Sequence, residues 1–225
     1  MNLPADLYHQ IVALAHQHHV SRLFLFGSRA RGTHSEHSDV DLAVDGGDLV
    51  NFAADVEEKT LTLLNFDIVD LRQANEQLKQ EVSRDGILLM SKFDNYTQAV
   101  DSLERMLQAH PEADLDEAAM TGIIAMCNLA FDQCWKTMKE LCLDLGAPDE
   151  GLNNPRSVLK TAAAYEVIAP GDHDRWLEML QARNVLTHRY NEDMAKEALQ
   201  KVRDVYAPLL VRMRRKIAQM QTEIG

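Results

Sequence analysis

The sequence predicts a chain of two classes: an α/β part over residues 1–92 and an all-α helical bundle over 93–225. Three observations carry this. Short apolar runs, "RLFLFGS", "DVDLAV" and "NFDIVDL", alternate with helix-patterned stretches as far as "GILLM", which is the texture of an α/β domain. Beyond "SKFDN" every segment spaces its apolar residues three and four apart, with Gly, Pro and Asn breaks between segments, as helices of a bundle do. A length of 225 residues also fits two domains better than one minimal core.

Taken in order, residues 4–19 read as a helix with Pro4 near its start, where a missing N–H costs nothing. "RLFLFGS" is a buried strand running into a glycine turn, and "DVDLAV" alternates charge with hydrophobe at period two, so its two faces differ. A helix is expected over 48–63, a third strand at "NFDIVDL" (65–71), and a helix at "QANEQLKQEVSR" before the apolar "GILLM". The bundle helices follow in "NYTQAVDSLERMLQAH", "LDEAAMTGIIAMCNLAFDQCWKTMKELCLDLG", "PRSVLKTAAAYEVIA", "DHDRWLEMLQARNVLTH" and "NEDMAKEALQKVRDVYAPLLVRMRRKIAQMQTEI".

Composition narrows the function classes. No apolar run approaches the ~20 residues that cross a bilayer, and "MNLPADLYHQ" lacks a basic segment leading into an apolar one, so the cytoplasm is the expected compartment and no membrane partner is expected. A formal net charge of −12 argues against broad binding to duplex nucleic acid, whose affinity comes largely from Lys and Arg. It leaves room for a nucleotide held through a metal. Cys127, Cys134 and Cys142 recur seven and eight apart, roughly one helix face and not a C-x-x-C metal spacing, so they are expected to be buried thiols.

The chemistry concentrates in "FGSRARGTHSEHSDVDLAV". Asp39 and Asp41 lie two apart on a predicted strand, so both carboxylates leave one face while Val40 and Leu42 enter the core. Two such charges repel unless one is protonated or a cation sits between them. Mg²⁺ takes a few carboxylates together with water and phosphate oxygens, and a pair of such ions serves displacement at phosphorus. Gly27 and Ser28 follow the first strand, where a bare backbone brings N–H groups up to phosphate oxygens and a hydroxyl adds a donor. Arg29 and Arg31 supply positive charge nearby. The plain alternative is a turn with solvated arginines. His16, His18, His19, His34 and His37 are dense, but no Cys or carboxylate spacing completes a transition-metal set around them. A phosphate contact by His34 or His37 is a separate expectation.

Gly27-Ser28, ten intervening residues, then Asp39-Val40-Asp41 resembles the signature of the polymerase-beta-like nucleotidyltransferase superfamily, and "GSRARGTHSEHSDVDLAV" is similar to its minimal nucleotidyltransferase (MNT) branch. The resemblance spans residues 20 to 72. It implies a nucleotide-binding α/β fold, a small mixed sheet flanked by helices, with two Mg²⁺ ions and transfer of a nucleoside monophosphate from a triphosphate, ATP above others, with release of pyrophosphate. Such enzymes carry a third carboxylate on a neighbouring strand. "NFDIVDL" offers Asp67 and Asp70 on opposite faces; Asp67, between Phe66 and Ile68, matches the family's hydrophobic-Asp-hydrophobic position, while Asp70 suits a turn or cap. By resemblance Asp39 and Asp41 hold both metals and Asp67 holds the one that activates the acceptor hydroxyl.

The second concentration is "WLEMLQARNVLTHRYNED", where Arg183, Asn184, His188 and Tyr190 crowd the end of a helix. A capped helix C-terminus explains these residues structurally. Arg183, four residues, His188, one residue, Tyr190 also resembles the motif of HEPN domains, and residues 93–220 are similar to the nucleotidyltransferase substrate-binding family. HEPN proteins are helical bundles that often dimerise, so a homodimer through the helical part is implied. Many are metal-independent ribonucleases, which makes Arg183 and His188 ribonuclease candidates. In MNT/HEPN toxin–antitoxin pairs the MNT enzyme adenylylates the motif tyrosine, which makes Tyr190 a candidate AMP acceptor. The present chain departs from that pattern by fusing both partners.

Together these readings predict a metal-dependent nucleotidyltransferase whose acceptor is a protein tyrosine or a small molecule presented by the helical domain. The alternatives are a HEPN ribonuclease regulated by a nucleotide-binding half, the one reading in which RNA is a partner, and a nucleotide sensor without turnover.

Overall fold

In a computed structural model of the chain the described residues are 3–111, 116–186 and 192–224. They form two compact units, Met1–Asn95 and Tyr96–Gly225.

The first unit is a four-stranded mixed sheet: β1 (Arg22–Leu25), β2 (Val40–Asp45), β3 (Phe66–Asp70) and β4 (Ile87–Met90), in spatial order β3-β2-β1-β4. β1 is antiparallel to both β2 and β4, whereas β2 and β3 are parallel. That parallel pair requires a crossover, which α3 (Leu49–Lys59) supplies. Along β2 the residues Val40, Leu42 and Val44 point to one face and are fully or almost fully buried. They meet Leu7, Ile11 and Leu14 of α1 (Ala5–Gln17) and Phe52 and Val56 of α3 in the larger core. Burying Phe52 alone contributes about 1.5–3 kcal/mol. The opposite face carries Ala43 against Phe26 and against Val82 of α4 (Glu76–Asp85). Helices thus cover both sides of a mixed sheet, as expected.

Element ends depart from the expectation in one instructive place. The helix expected over 48–63 stops at Lys59. Thr60 turns back, its hydroxyl donating to the Val56 carbonyl at 2.6 Å, and Leu61 and Leu63 are 89% and 102% exposed, so their apolar spacing belongs to a loop and not to a buried face.

Among its described residues the second unit contains helices and connecting turns but no strand: most of α5 (Lys92–Ala109), then α6 (Glu117–Asp144), α7 (Pro155–Ala164), α8 (His173–Leu186), α9 (Glu192–Lys201) and α10 (Ala207–Ile224). The 28-residue α6 is capped by the Asp116 carboxylate accepting from the Ala119 amide, and buries a continuous stripe from Met120 to Cys142. It packs on α7, α9 and α10. Phe131 of α6 meets the fully buried Trp176 of α8, with ring centroids 6.2 Å apart. Asn154 caps α7 and Pro155 takes its first turn, the arrangement that Pro favours. The final stretch, expected as one helix, is interrupted by a π-helical turn at Val202–Tyr206. Pro208 lacks the N–H that would close an ordinary helical turn, and the wider turn, with the Ala207 N–H reaching the Val202 carbonyl, absorbs the mismatch. Among the described residues no helix is long and apolar enough to cross a membrane.

All three cysteines are free and buried, and burial pushes the Cys127 thiol up to about 12 and Cys142 to about 11. Thiolate is the reactive form. The native protein is therefore expected to resist a disulfide thiol reagent at pH 8 and to titrate three thiols once unfolded in guanidinium; rapid native labelling would contradict the packing of α6.

Candidate active site

β1 delivers the chain to the site. Its last residues lead through Phe26, whose N–H donates to the Asp41 carbonyl at 2.9 Å, to Gly27 with φ +68. A side chain there would be strained, and it would also have no room: a Cβ at Gly27 would stand 2.1 Å from Asp41 Oδ2. The next amide, that of Ser28, donates to the Asp41 carboxylate and opens a short helix, α2 (Gly27–Arg31), closed by Gly32 at φ 73. The glycine is thus demanded both by backbone conformation and by the carboxylate lying against it.

Arg29 has a different place from the phosphate-side charge expected of it. It is 4% exposed. Its Nε donates to the Ser38 and Asp39 carbonyls, both at 3.1 Å, and its Nη2 to the Ser38 carbonyl at 2.6 Å and the Glu36 carbonyl at 3.3 Å. The guanidinium is the peg around which the loop before Asp39 folds. Arg31 reaches α4, pairing with Glu81 at 2.6 Å and standing 3.8 Å from Asp85, while its charge is still felt at Asp41.

Three carboxylates meet at this end of the sheet. Asp39 is exposed just ahead of β2, and Asp41 is half-buried on it. Asp67 is exposed on β3, directly across the parallel register from Asp41, so the two side chains share a face. Asp41 records the crowding: burial raises its pKa above the ordinary 3.8, the charges of Asp67 and then Asp39 raise it further, and the Ser28 amide and Arg31 oppose them. Asn65, which the sequence did not single out, donates from Nδ2 to Asp39 Oδ1 at 3.2 Å. It also lines a polar cavity of about 370 Å³ with Glu57, Thr60 and Thr62. Asp70 is apart from the trio: its carboxylate accepts from the Arg72 amide and guanidinium, which hold its pKa low.

Among the described residues no three His, Cys, Asp or Glu side chains enclose a metal ion by themselves. The donor set still suits Mg²⁺: oxygen donors only, on one sheet face, mutually repelling, with open positions for water and phosphate oxygens. Of the histidines, His16 Nδ1 bonds Asn95 Oδ1 and His18 Nε2 bonds Asp55 Oδ2, both at 2.8 Å, whereas His34 Nδ1 is buried with no partner among the described residues. Arg183 Nη2 donates to Asp132 Oδ2 at 3.0 Å. His188 and Tyr190 lie outside the described residues.

Two outcomes follow from the Gly27–Asp41 contact. Gly27→Ala is expected to cost ~1–3 kcal/mol in urea denaturation, from left-handed strain alone, with more if Asp41 is pushed aside. A raised folded-state pKa means that the folded protein binds the Asp41 proton more tightly than the unfolded chain. The contribution of Asp41 to stability is therefore greatest at acid pH, falls as pH rises from 3.8 through the raised value, and is a constant penalty above it. Asp41→Asn is thus expected to raise the metal-free melting temperature at neutral pH, the gain vanishing below about pH 4; thermal scans of both proteins from pH 3.5 to 8 check this.

Residues 9–95 match the family described as polymerase beta, nucleotidyltransferase, and residues 91–219 match the one described as nucleotidyltransferase substrate binding protein like. The protein adenylyltransferase MntA of Shewanella oneidensis is 34% identical over 102 residues, covering 42% of this chain and 73% of MntA. Among solved structures, a toxin–antitoxin crystallised with AMP-PNP is 29% identical over 45% of this chain and 90% of its own, with a TM-score of 0.34. A mutant of the toxin–antitoxin MntA–HpeT is 27% identical with the same coverage and a TM-score of 0.34. A Thermus thermophilus protein is 18% identical over 57% of this chain and 98% of its own, with a TM-score of 0.41. The chain therefore belongs to the polymerase-beta nucleotidyltransferases as an enzyme of the MntA type, and its helical part belongs to the nucleotidyltransferase substrate binding protein like family.

Proposed function

We propose that residues 1–92 transfer AMP from ATP to a hydroxyl acceptor in a Mg²⁺-dependent reaction, and that residues 93–225 bind or present that acceptor. The observation that carries this reading is the convergence of Asp39, Asp41 and Asp67, felt as mutual repulsion at the half-buried Asp41 beside a glycine-opened backbone. Two Mg²⁺ ions, when bound, supply neutralisation of the triphosphate and acidification of the acceptor hydroxyl. Asp39 and Asp41 would hold both, and Asp67 would hold the one on the acceptor side and receive the hydroxyl proton.

The rest of the site positions and neutralises the nucleotide. Gly27 lets the backbone between β1 and α2 come close to phosphate oxygens, and the Ser28 hydroxyl donates to one of them. Arg31, itself exposed, exchanges its half-buried partners Glu81 and Asp85 for phosphate. Arg29 acts at one remove, by folding the loop that carries Asp39. The acceptor oxygen attacks the α-phosphorus, the bond from that phosphorus to the bridging oxygen breaks, and pyrophosphate leaves; the chemistry is positioning and charge stabilisation.

The relatives support a protein acceptor. One is named a protein adenylyltransferase and others are toxin–antitoxin structures, one with AMP-PNP, which supports ATP as donor and a protein hydroxyl as acceptor. Within this chain the HEPN-like tyrosine, Tyr190, is the candidate, and a homodimer through the helical part would let one copy serve the other. The ribonuclease reading needs Arg183 at the scissile phosphate, and that guanidinium is engaged by Asp132; transfer is the better supported reading.

Asp39→Asn/Asp41→Asn is expected to lower transfer from α-³²P ATP by at least ~10³-fold with the far-UV spectrum unchanged, the scale on which loss of a dominant electrostatic element acts. Intact-mass spectrometry after incubation with Mg²⁺ and ATP is expected to show an AMP adduct at Tyr190; labelling that survives in the double variant would overturn the assignment of the aspartates.

A further inference from the structure

We propose that the cleft between the N-terminal halves of α7 and α8 is a binding site for a small molecule bearing a phosphate group. The cleft has a volume of about 410 Å³ and is lined by Asn154, Arg156, Ser157 and Lys160 on one side and by His173 and Leu177 on the other, a size within the range of small-molecule sites. Arg156 and Lys160 are one helical turn apart on α7, a like-charge spacing that destabilises a helix unless an anion answers it. Among the described residues no carboxylate lines the cleft.

Two acids near in the chain are held by other cations. Asp172, next in the chain to His173, stands 2.7 Å from Arg175 and 3.6 Å from Arg212, and Asp149 pairs with Lys139 at 2.7 Å. In a chain with a formal charge of −12 carboxylates are in surplus, yet these turn to other cations. His173 lines the cleft and its ring Nε2 is buried with no partner among the described residues, so a rotation of the ring would present that nitrogen to a ligand.

The α7 terminus itself is not the binding element. Pro155 has no N–H, and the Ser157 amide already donates to Asn154 Oδ1 at 3.0 Å. Recognition falls to side chains: the Arg156 guanidinium bonds two phosphate oxygens as a fork, Lys160 adds a point charge, and His173 Nε2 closes from the other side. Leu177 leaves an apolar wall for the organic part of the ligand. None of these residues belongs to the aspartate site, and the inference does not rest on the transfer reaction.

Calorimetry of the full chain in EDTA tests it, with inorganic pyrophosphate and AMP as separate titrants. Both are expected to bind once per chain, with affinity lowered at least tenfold in Arg156→Gln/Lys160→Gln and at least threefold in His173→Gln. Arg156 and Lys160 are exposed, so the double variant is expected to keep the wild-type far-UV spectrum, and Lys160→Gln alone provides a milder check. Absence of binding at millimolar concentration, or unchanged affinity in the double variant, would overturn the proposal. So would AMP binding without pyrophosphate binding, which would assign recognition to the nucleoside, or binding of a single-stranded RNA oligonucleotide alone.

Discussion

The front unit is organised around a missing atom. Because Gly27 has no Cβ, the Asp41 carboxylate lies against the backbone where β1 turns into α2 and accepts the Ser28 N–H. That one contact fixes the angle at which the chain leaves β1, the direction of α2, and the position of Arg29 on it. Arg29 in turn collects the Glu36, Ser38 and Asp39 carbonyls and so brings the loop back to begin β2. Asp39 and Asp41 owe their placement to a glycine and a buried arginine that carry no metal ligand between them.

Holding three like charges together requires a frame that does not yield. β2 provides it by being buried on both faces, with Leu42 and Val44 in the core under α1 and α3 and Ala43 in the smaller one under α4. A one-residue slip of β2 would exchange the core residues for aspartates, so the apolar pattern locks the register. The parallel pairing that sets Asp41 opposite Asp67 inherits that lock. The repulsion at Asp41 is therefore borne by the packing, and a bound cation would relieve it without a change of fold.

Much of this was readable from local pattern. Alternation in "DVDLAV" separated the core face from the carboxylate face, and a three-to-four spacing separated the helical half from the α/β half. What escaped depends on distance through space. Arg29 reads as a surface cation until the loop carbonyls it gathers are known. Asn65 reaches Asp39 across 26 positions of sequence, a pairing no local pattern encodes. The helix expected over 48–63 ends at Lys59, and Leu61 and Leu63, apolar in sequence, face outward. The single helix expected near the C-terminus missed the π turn because Pro208 disturbs hydrogen bonding without disturbing the apolar stripe.

Charge explains why the two halves would treat phosphate differently. In the front unit Asp39, Asp41 and Asp67 are acidic and crowd one another, so a triphosphate brought to them would be repelled unless cations intervened. In the cleft between α7 and α8 the lining is cationic, and the nearby acids are held by Lys139, Arg175 and Arg212. An anion can settle there without a metal. Net charge, at −12, predicts repulsion of polyanions at long range, but ions at close range respond to the few groups within about a Debye length. A strongly acidic chain can thus hold a small phosphate compound in one place while rejecting an extended nucleic acid, because only the small ligand fits within the cationic patch and leaves the rest of the surface untouched.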